Sequence, residues 1–209
     1  MSKSQIRKAG DYLVVDIPST TKDKKLMVKI EGGTHESLNL ILGYIRDFVI
    51  NQRLELRSNE TFALGCWILK FVGDSEDILN IFELDPNTQE YIEGAAFSSE
   101  VFSEQIQIGI DHNLYLDFPS VNSKIVYSDG VLEGLQTDGI RYPSPNHMSG
   151  WWLTTSLYNG NIETLKQIHL YDFAASRPDL LKFLALPFKC RFNVSASHSA
   201  IWLDDTIED

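Results

Sequence analysis

The predicted core is organised around a segment that begins with Ser149-Gly150-Trp151-Trp152 and ends with Phe183-Leu184-Ala185-Leu186-Pro187. A polar turn, Tyr158-Asn159-Gly160-Asn161, lies between these two segments. Side chains of an extended backbone alternate between the faces of a sheet, so the two adjacent tryptophans should point in opposite directions. Each tryptophan can bury a large aromatic area, and the pair therefore predicts a core anchored from both faces of one sheet.

The residues before this stretch predict a sheet with one packed helix. Residues 11–17 predict a strand that Pro18 ends, and residues 26–30 predict its hairpin partner after a charged turn at residues 22–25. Thr34 is a favoured helix N-cap, and the apolar spacing over residues 38–49 predicts an amphipathic helix behind it. The apolar run over residues 61–72 predicts a single buried strand, and the proline turn at residues 85–88 predicts another hairpin.

The second half predicts further helices and strands. Ser98 or Ser99 is expected to cap a helix that ends near residue 112. Residues 151–157 predict a strand, whereas residues 162–174 fit either a helix or an extended segment. Together the patterns predict an α+β protein of antiparallel sheets and a few packed helices, in two sub-domains. The expected domains are residues 1–95 and 96–209, divided at Gly94-Ala95-Ala96.

Charge is distributed unevenly along the 209 residues, whose formal net charge is −11. Residues 1–33 hold seven Lys or Arg and four Asp or Glu, a net charge of +3. The remaining residues hold 11 Lys or Arg and 25 Asp or Glu, a net charge of −14. Phosphate binding needs a basic face, so this balance argues against nucleic acid as a direct partner.

An acidic window over residues 71–123 contains no Lys or Arg. Carboxylates of this kind commonly form a solvated surface, but without local counter-ions they are also suited to docking on a basic partner. Both interpretations stay open at this stage. On the docking interpretation, the candidate partner-binding residues are Asp74, Glu76, Asp77, Glu83, Asp85, Glu90 and Glu93.

Enzyme and cofactor signatures are largely missing from the sequence. It has no phosphate-cradling glycine loop, no paired-cysteine spacing and no His-Glu-x-x-His motif, and its five histidines occur singly. Cys66 and Cys190 lie in apolar surroundings and are predicted to be buried free thiols. We therefore expect no cofactor, no metal and no catalytic residues. The basic first eight residues lack a following apolar stretch and no run is long enough to span a bilayer, which favours a cytoplasmic protein without a membrane partner.

From Gln105 onward the chain resembles family thirty-three of the bacterial polymorphic-toxin immunity proteins. The resemblance covers about half of the chain, and its most specific part is Ser149-Gly150-Trp151-Trp152. The other matching features, in chain order, are Gln105 within a helix, Phe118-Pro119-Ser120, Ser128, Val131-Leu132-Glu133-Gly134, Arg141, the His169 region, Arg177-Pro178-Asp179-Leu180, Leu184-Ala185-Leu186-Pro187, Arg191-Phe192 and Trp202-Leu203-Asp204.

The resemblance implies a non-catalytic function, in which a cytosolic antidote binds a cognate toxin and blocks it. An acidic antidote suits a basic toxin such as a nuclease, because carboxylates can pair with the Arg and Lys that normally hold phosphate. On this interpretation Trp151 and Trp152 are core residues, and exposed acidic and aromatic side chains form the interface.

Two other classes of function remain open from the sequence. One is a hydrolase or metal-dependent enzyme with a cleft between the two halves, and a pocket joining His147, His169 and a carboxylate would favour it. The other is a structural or adaptor subunit without any toxin. The sequence does not identify the toxin or the oligomeric state.

Overall fold

A computed structural model describes residues 6–18, 22–75 and 77–207, without the side chain of Asp74. The chain divides into two compact units, Met1–Glu104 and Gln105–Asp209. The division falls inside the second helix, α2 (Ala96–His112), a few residues after the boundary expected from the sequence. The α+β class is confirmed, and each unit has its own sheet. Each sheet contains one parallel strand pair as well as the expected antiparallel pairs.

The N-terminal sheet has the order β1-β2-β3-β6-β5-β4 in the described residues, with β7 also paired to β6. Its strands are β1 (Arg7–Ala9), β2 (Tyr12–Ile17), β3 (Lys24–Lys29), β4 (Thr61–Leu64), β5 (Trp67–Ser75), β6 (Ile78–Leu84) and β7 (Tyr91–Glu93). Strand β3 runs parallel to β6, and helix α1 (His35–Gln52) packs on β2 and β3.

Helix α1 follows the predicted pattern. The Thr34 hydroxyl accepts a hydrogen bond from the amide of Ser37 at 3.1 Å, which satisfies one of the free donors at the helix N-terminus. Arg53 adopts a left-handed backbone conformation at the C-terminal end, with φ of 53°. The predicted apolar face is buried at Leu38, Ile41, Leu42, Ile45 and Val49.

The apolar run over residues 61–72 forms two strands rather than the single strand expected. Gly65 has φ of 58°, a left-handed conformation that glycine adopts without steric strain, and with Cys66 it makes a two-residue turn. Leu64 and Trp67 pair directly across this turn. The run is mostly apolar on both sides of the turn, so its composition concealed the turn.

Helix α2 begins at Ala96 and takes its cap from a distant strand, not from Ser98 or Ser99. The Glu83 carboxylate on β6 accepts hydrogen bonds from the amides of Phe97 and Ser98 and from the Ser98 hydroxyl, at 3.2, 2.7 and 2.7 Å. Glu83 is only 3% exposed. A carboxylate at a helix N-terminus satisfies free amides and favours the helix dipole, so Glu83 joins α2 to the sheet.

We predict that Glu83→Ala destabilises the protein by about 2 kcal/mol, because buried helix amides lose a charged acceptor. Urea unfolding followed by circular dichroism would measure the loss. Glu90→Ala is the matched control, since Glu90 is exposed, and it should change stability by less than about 0.5 kcal/mol. Equal stability of the two variants would contradict the capping role.

The C-terminal sheet has the order β11-β8-β10-β9-β12-β13. Its strands are β8 (Lys124–Tyr127), β9 (Thr137–Arg141), β10 (Met148–Thr154), β11 (Lys166–His169), β12 (Cys190–Ser195) and β13 (His198–Leu203). Strand β8 runs parallel to β10. The ambiguous residues 162–174 form a 3-10 turn (Ile162–Thr164), then β11, and then the start of helix α3 (Leu170–Ser176).

The inner face of this sheet forms the core of the C-terminal unit. Trp151, Leu153 and Phe192 are buried on it. Apolar side chains of α3 and of the 3-10 helix Pro178–Phe183 are buried in the same unit, and the rings of Phe183 and Phe192 stack at 4.9 Å. The expectation that both tryptophans are core residues is corrected, because Trp152 points to the opposite face and is half-buried. None of the helices in the described residues has both the length and the apolarity needed to cross a bilayer.

Candidate functional site: the outer face of the C-terminal sheet

Arg141, at the end of β9, ties the inner side of the C-terminal unit together. It is 3% exposed, and its guanidinium donates to the carbonyl oxygens of Ser149, Asp117 and Leu186 at 3.0, 2.6 and 2.5 Å. The Asp117 carboxylate lies 3.3 Å from Nη2. A buried cation needs an opposite charge and several acceptors, and Arg141 has both. Strand β10 and the segments around Asp117 and Leu186 are therefore fixed to one group.

The Ser149-Gly150-Trp151-Trp152 segment fits around this arginine. Gly150 has φ of +81°, and a Cβ there would collide with the carbonyl oxygen of Tyr142. The Ser149 hydroxyl donates to the carbonyl oxygen of Lys124 at 3.0 Å, which links β10 to β8. The Trp151 indole donates to the carbonyl oxygen of Leu184 at 2.9 Å. These residues build the scaffold, because their polar groups are satisfied internally.

Arg177 forms a second buried junction. It makes a bidentate pair with Asp179 at 2.9 and 2.8 Å and donates to the carbonyl oxygen of Val131 at 2.6 Å. Gln105, fully buried on α2, donates to the carbonyl oxygen of Leu181 at 2.8 Å. These residues carry the sequence resemblance, and their role in the structure is internal support.

The outer face of the sheet carries a row of side chains across four strands. The strand register places Trp152 opposite Ile140, Ile140 opposite Arg191, and Arg191 opposite Trp202. We call these four residues the outer row. Trp202 is 41% exposed, and the other three are half-buried. Trp and Arg are enriched among the residues that dominate binding energy at protein interfaces.

A cavity of about 810 Å³ opens beside the outer row. Tyr142 and Trp152 form two of its walls, with ring centroids 5.7 Å apart and ring planes at 77°. Its lining combines aromatic, aliphatic and hydroxyl groups with one ion pair. The lining residues are Ile140, Tyr142, Trp152, Thr154, Tyr158, Gly160, Ile162, Arg191, Asp204, Thr206 and Ile207.

The ion pair in this cavity joins Arg191 to Asp204 at 2.9 Å. Hydrogen bonds from the hydroxyl and amide of Thr206, and then the pairing with Arg191, hold the pKa of Asp204 below its usual range. Asp204 is therefore ionised at neutral pH. The Arg191 guanidinium also lies 5.7 Å from the centre of the Trp202 ring, a cation–π contact that orders both side chains.

Two of the carboxylates predicted to bind a partner have structural roles. Glu83 is buried at the N-terminus of α2, so it is removed from any docking surface. Asp85 accepts hydrogen bonds from the amides of Asn87 and Thr88, at 2.7 and 2.8 Å, which closes the β6–β7 turn. The amide of Thr88 is the main cause of a lowered Asp85 pKa.

Three of the remaining candidates in the acidic window, Asp77, Glu90 and Glu93, have side chains that the structure describes. Asp77 pairs with Lys22 at 2.5 Å, and Glu93 accepts a hydrogen bond from the Tyr12 hydroxyl at 2.9 Å. Glu90 is exposed. Glu76 and the side chain of Asp74 lie outside the described residues.

The two histidines considered for an enzyme differ in their surroundings. His147 is exposed, whereas His169 lies 2.9 Å from the carbonyl oxygen of Asn122 and stacks on Tyr171. In the part of the chain that the structure describes, no three His, Cys, Asp or Glu side chains are arranged to hold a metal. The two cysteines are free and buried as predicted, and burial raises the pKa of Cys190 to about 11, which disfavours the nucleophilic thiolate.

Sequence reasoning missed the outer row and its cavity. The sequence contained a usable signal, because apolar and polar residues alternate along β12. Successive side chains of a strand point to opposite faces, so Arg191 lies on the face opposite Cys190 and Phe192. It could not give the order of the strands. That order brings Trp202, which is 50 residues away in sequence, to the same face as Trp152.

Residues 104–204 match the model of the Imm33-like domain family. The match spans almost all of the C-terminal unit and includes both arginine junctions and the outer row. The C-terminal unit therefore matches the Imm33-like domain family, which confirms the resemblance found in the sequence. No curated protein and no solved structure shows significant similarity to the chain.

Proposed function

We propose that this protein is an immunity protein that binds a cognate secreted bacterial toxin in the cytoplasm and neutralises it by binding alone. The observation that carries this proposal is the Imm33-like domain over residues 104–204, since the family takes its name from immunity proteins. On this proposal the protein needs no cofactor or metal, because it acts by binding the toxin and catalyses no reaction.

The distribution of roles within the C-terminal unit supports a binding function. The buried arginines and Trp151 satisfy their polar groups internally, while Trp152, Arg191 and Trp202 are directed to the outer face. An interface formed by aromatic and Arg side chains on a rigid sheet loses little side-chain freedom on binding.

The charge of the protein supports a basic toxin, for example a nuclease. The net charge is −11, and no Lys or Arg occurs over residues 71–123. Opposite net charges speed the encounter of two proteins and select against wrong partners. Glu83 is buried and Asp85 closes a turn, so the other carboxylates of the acidic window are the ones that attract the toxin.

We predict that co-expression of this protein restores growth to cells that express one particular toxin domain from the same genome. The toxin domains encoded there would be expressed one at a time, with the protein or with an unrelated protein of similar size and net charge. Rescue by this protein alone, with co-purification of an inactive form of that toxin, is the expected result. Rescue of no toxin would contradict the proposed function.

We predict that neutralising the acidic window weakens toxin binding about 10-fold or more at low salt and makes the affinity less dependent on salt. The substitutions are Asp74→Asn, Glu76→Gln, Asp77→Asn and Glu90→Gln. Glu83 stays in place because its loss would disturb α2. The matched control neutralises four exposed carboxylates elsewhere, at Asp11, Asp47, Glu133 and Glu163.

Isothermal titration calorimetry at two salt concentrations would compare the two quadruple variants. Equal affinities and equal salt dependence would remove the acidic window from the interface. The immunity function itself would stand, since growth rescue tests it separately.

A further inference from the structure

Strand β13 is the least protected edge of the two sheets in the described residues. It has six residues, pairs with β12 alone, and contains neither a charged residue nor proline. The other terminal strands are shorter, and two of them carry charge: β1 has Arg7 and Lys8, and β11 begins with Lys166. Proteins commonly protect sheet edges by shortening them or adding charge, so an uncharged six-residue edge is open to pairing with another strand.

The hydrogen-bond alternation identifies the amides available at this edge. The two-residue turn Ala196-Ser197 joins Ser195 to His198, which form a hydrogen-bonded pair. Every second residue pair along the hairpin after this one is then also hydrogen-bonded. The bond from the amide of Asp204 to the carbonyl oxygen of Lys189, at 2.8 Å, continues the same alternation. The amides of Ser199, Ile201 and Leu203 therefore point away from β12, the one strand with which β13 pairs in the described residues.

The side chains beside this edge are suited to anchoring a partner. Trp202 is 41% exposed on the outer face, and Leu203 is 51% exposed at the end of the strand. The contact with Arg191 holds the Trp202 ring in place, so less side-chain entropy is lost when a partner covers it.

The charge at the end of β13 indicates the kind of occupant. Asp204, which follows the strand, is paired with Arg191, whereas the next residue, Asp205, is exposed. A second copy of the protein would carry the same acidic residues and the same net charge of −11, so two copies repel each other. An extended segment with Lys or Arg is attracted to the same edge.

We propose that an extended basic segment of the cognate toxin adds to the C-terminal sheet along β13. The segment accepts hydrogen bonds from the amides of Ser199, Ile201 and Leu203 and covers Trp202, while its Lys or Arg side chains face the acidic end of the strand. Addition of a strand to an open edge is a common way to recognise peptides. This inference rests on the proposed immunity function and names the surface that performs it.

Hydrogen exchange measured by NMR on the free protein and on its complex with the toxin found by growth rescue tests the proposal directly. In the free protein the amides of Ser199, Ile201 and Leu203 should exchange rapidly, and toxin should slow them by about 10-fold or more. The amides of Ala200 and Trp202 bond to β12, so they should be protected in both states and serve as internal controls.

Ser199→Pro provides the matching variant test. Proline at this position removes only the outward amide and blocks a new strand, and the ladder to β12 does not use that amide. We expect it to weaken toxin binding about 10-fold or more, whereas Ser199→Ala, which keeps the amide, should stay within about 2-fold of the wild type. Protection of the Ala200 and Trp202 amides in the proline variant would verify that the sheet is intact.

The outcomes separate this inference from the proposed function. If the protein neutralises its toxin but the three outward amides exchange as fast in the complex as in the free protein, the edge proposal is wrong and the immunity function stands. Concentration-dependent protection of these amides without toxin would assign the edge to a second copy instead and overturn the proposal. If no toxin is neutralised, the function and the edge proposal both fail.

Discussion

The guanidinium of Arg141 is the group on which the C-terminal unit depends. It is withdrawn from water, and it is stabilised by the Asp117 carboxylate and by three carbonyl oxygens from separate segments. Removing such a group leaves several buried acceptors without a donor, which destabilises a protein much more than the loss of an exposed ion pair. The position of β10 relative to the loops on the inner side follows from this one side chain.

Because the inner face is occupied in this way, the outer face is the side of this sheet on which we propose that recognition takes place. The adjacent residues Trp151 and Trp152 lie on opposite faces of the sheet. The Trp151 indole is hydrogen-bonded inside the unit, whereas the Trp152 indole lines the outer cavity. Several features that carry the family resemblance, such as Arg141, Gly150 and Trp151, are therefore scaffold. Trp152, Arg191 and Trp202 belong to the same set of features but face outward.

Local sequence rules predicted the elements whose causes are local. Helix α1 followed from its Thr34 cap and apolar spacing, and the β6–β7 turn from Asp85 and Pro86. The predictions that failed concern residues whose roles depend on contacts with parts of the chain that are distant in sequence. Glu83 looked like a surface charge because nothing near it in sequence shows that it caps a helix beginning 13 residues later. The outer row depends on the strand order β10-β9-β12-β13, which no short stretch of sequence encodes.

The stoichiometry of neutralisation distinguishes the proposed action by binding from action by catalysis. Purified toxin would be incubated with increasing amounts of the protein, and its remaining activity measured after short and long times. Binding predicts that activity falls in proportion to added protein and reaches zero at a fixed molar ratio, independent of incubation time. Complete loss of activity with far less than one protein per toxin, progressing with time, would contradict action by binding and indicate an enzyme.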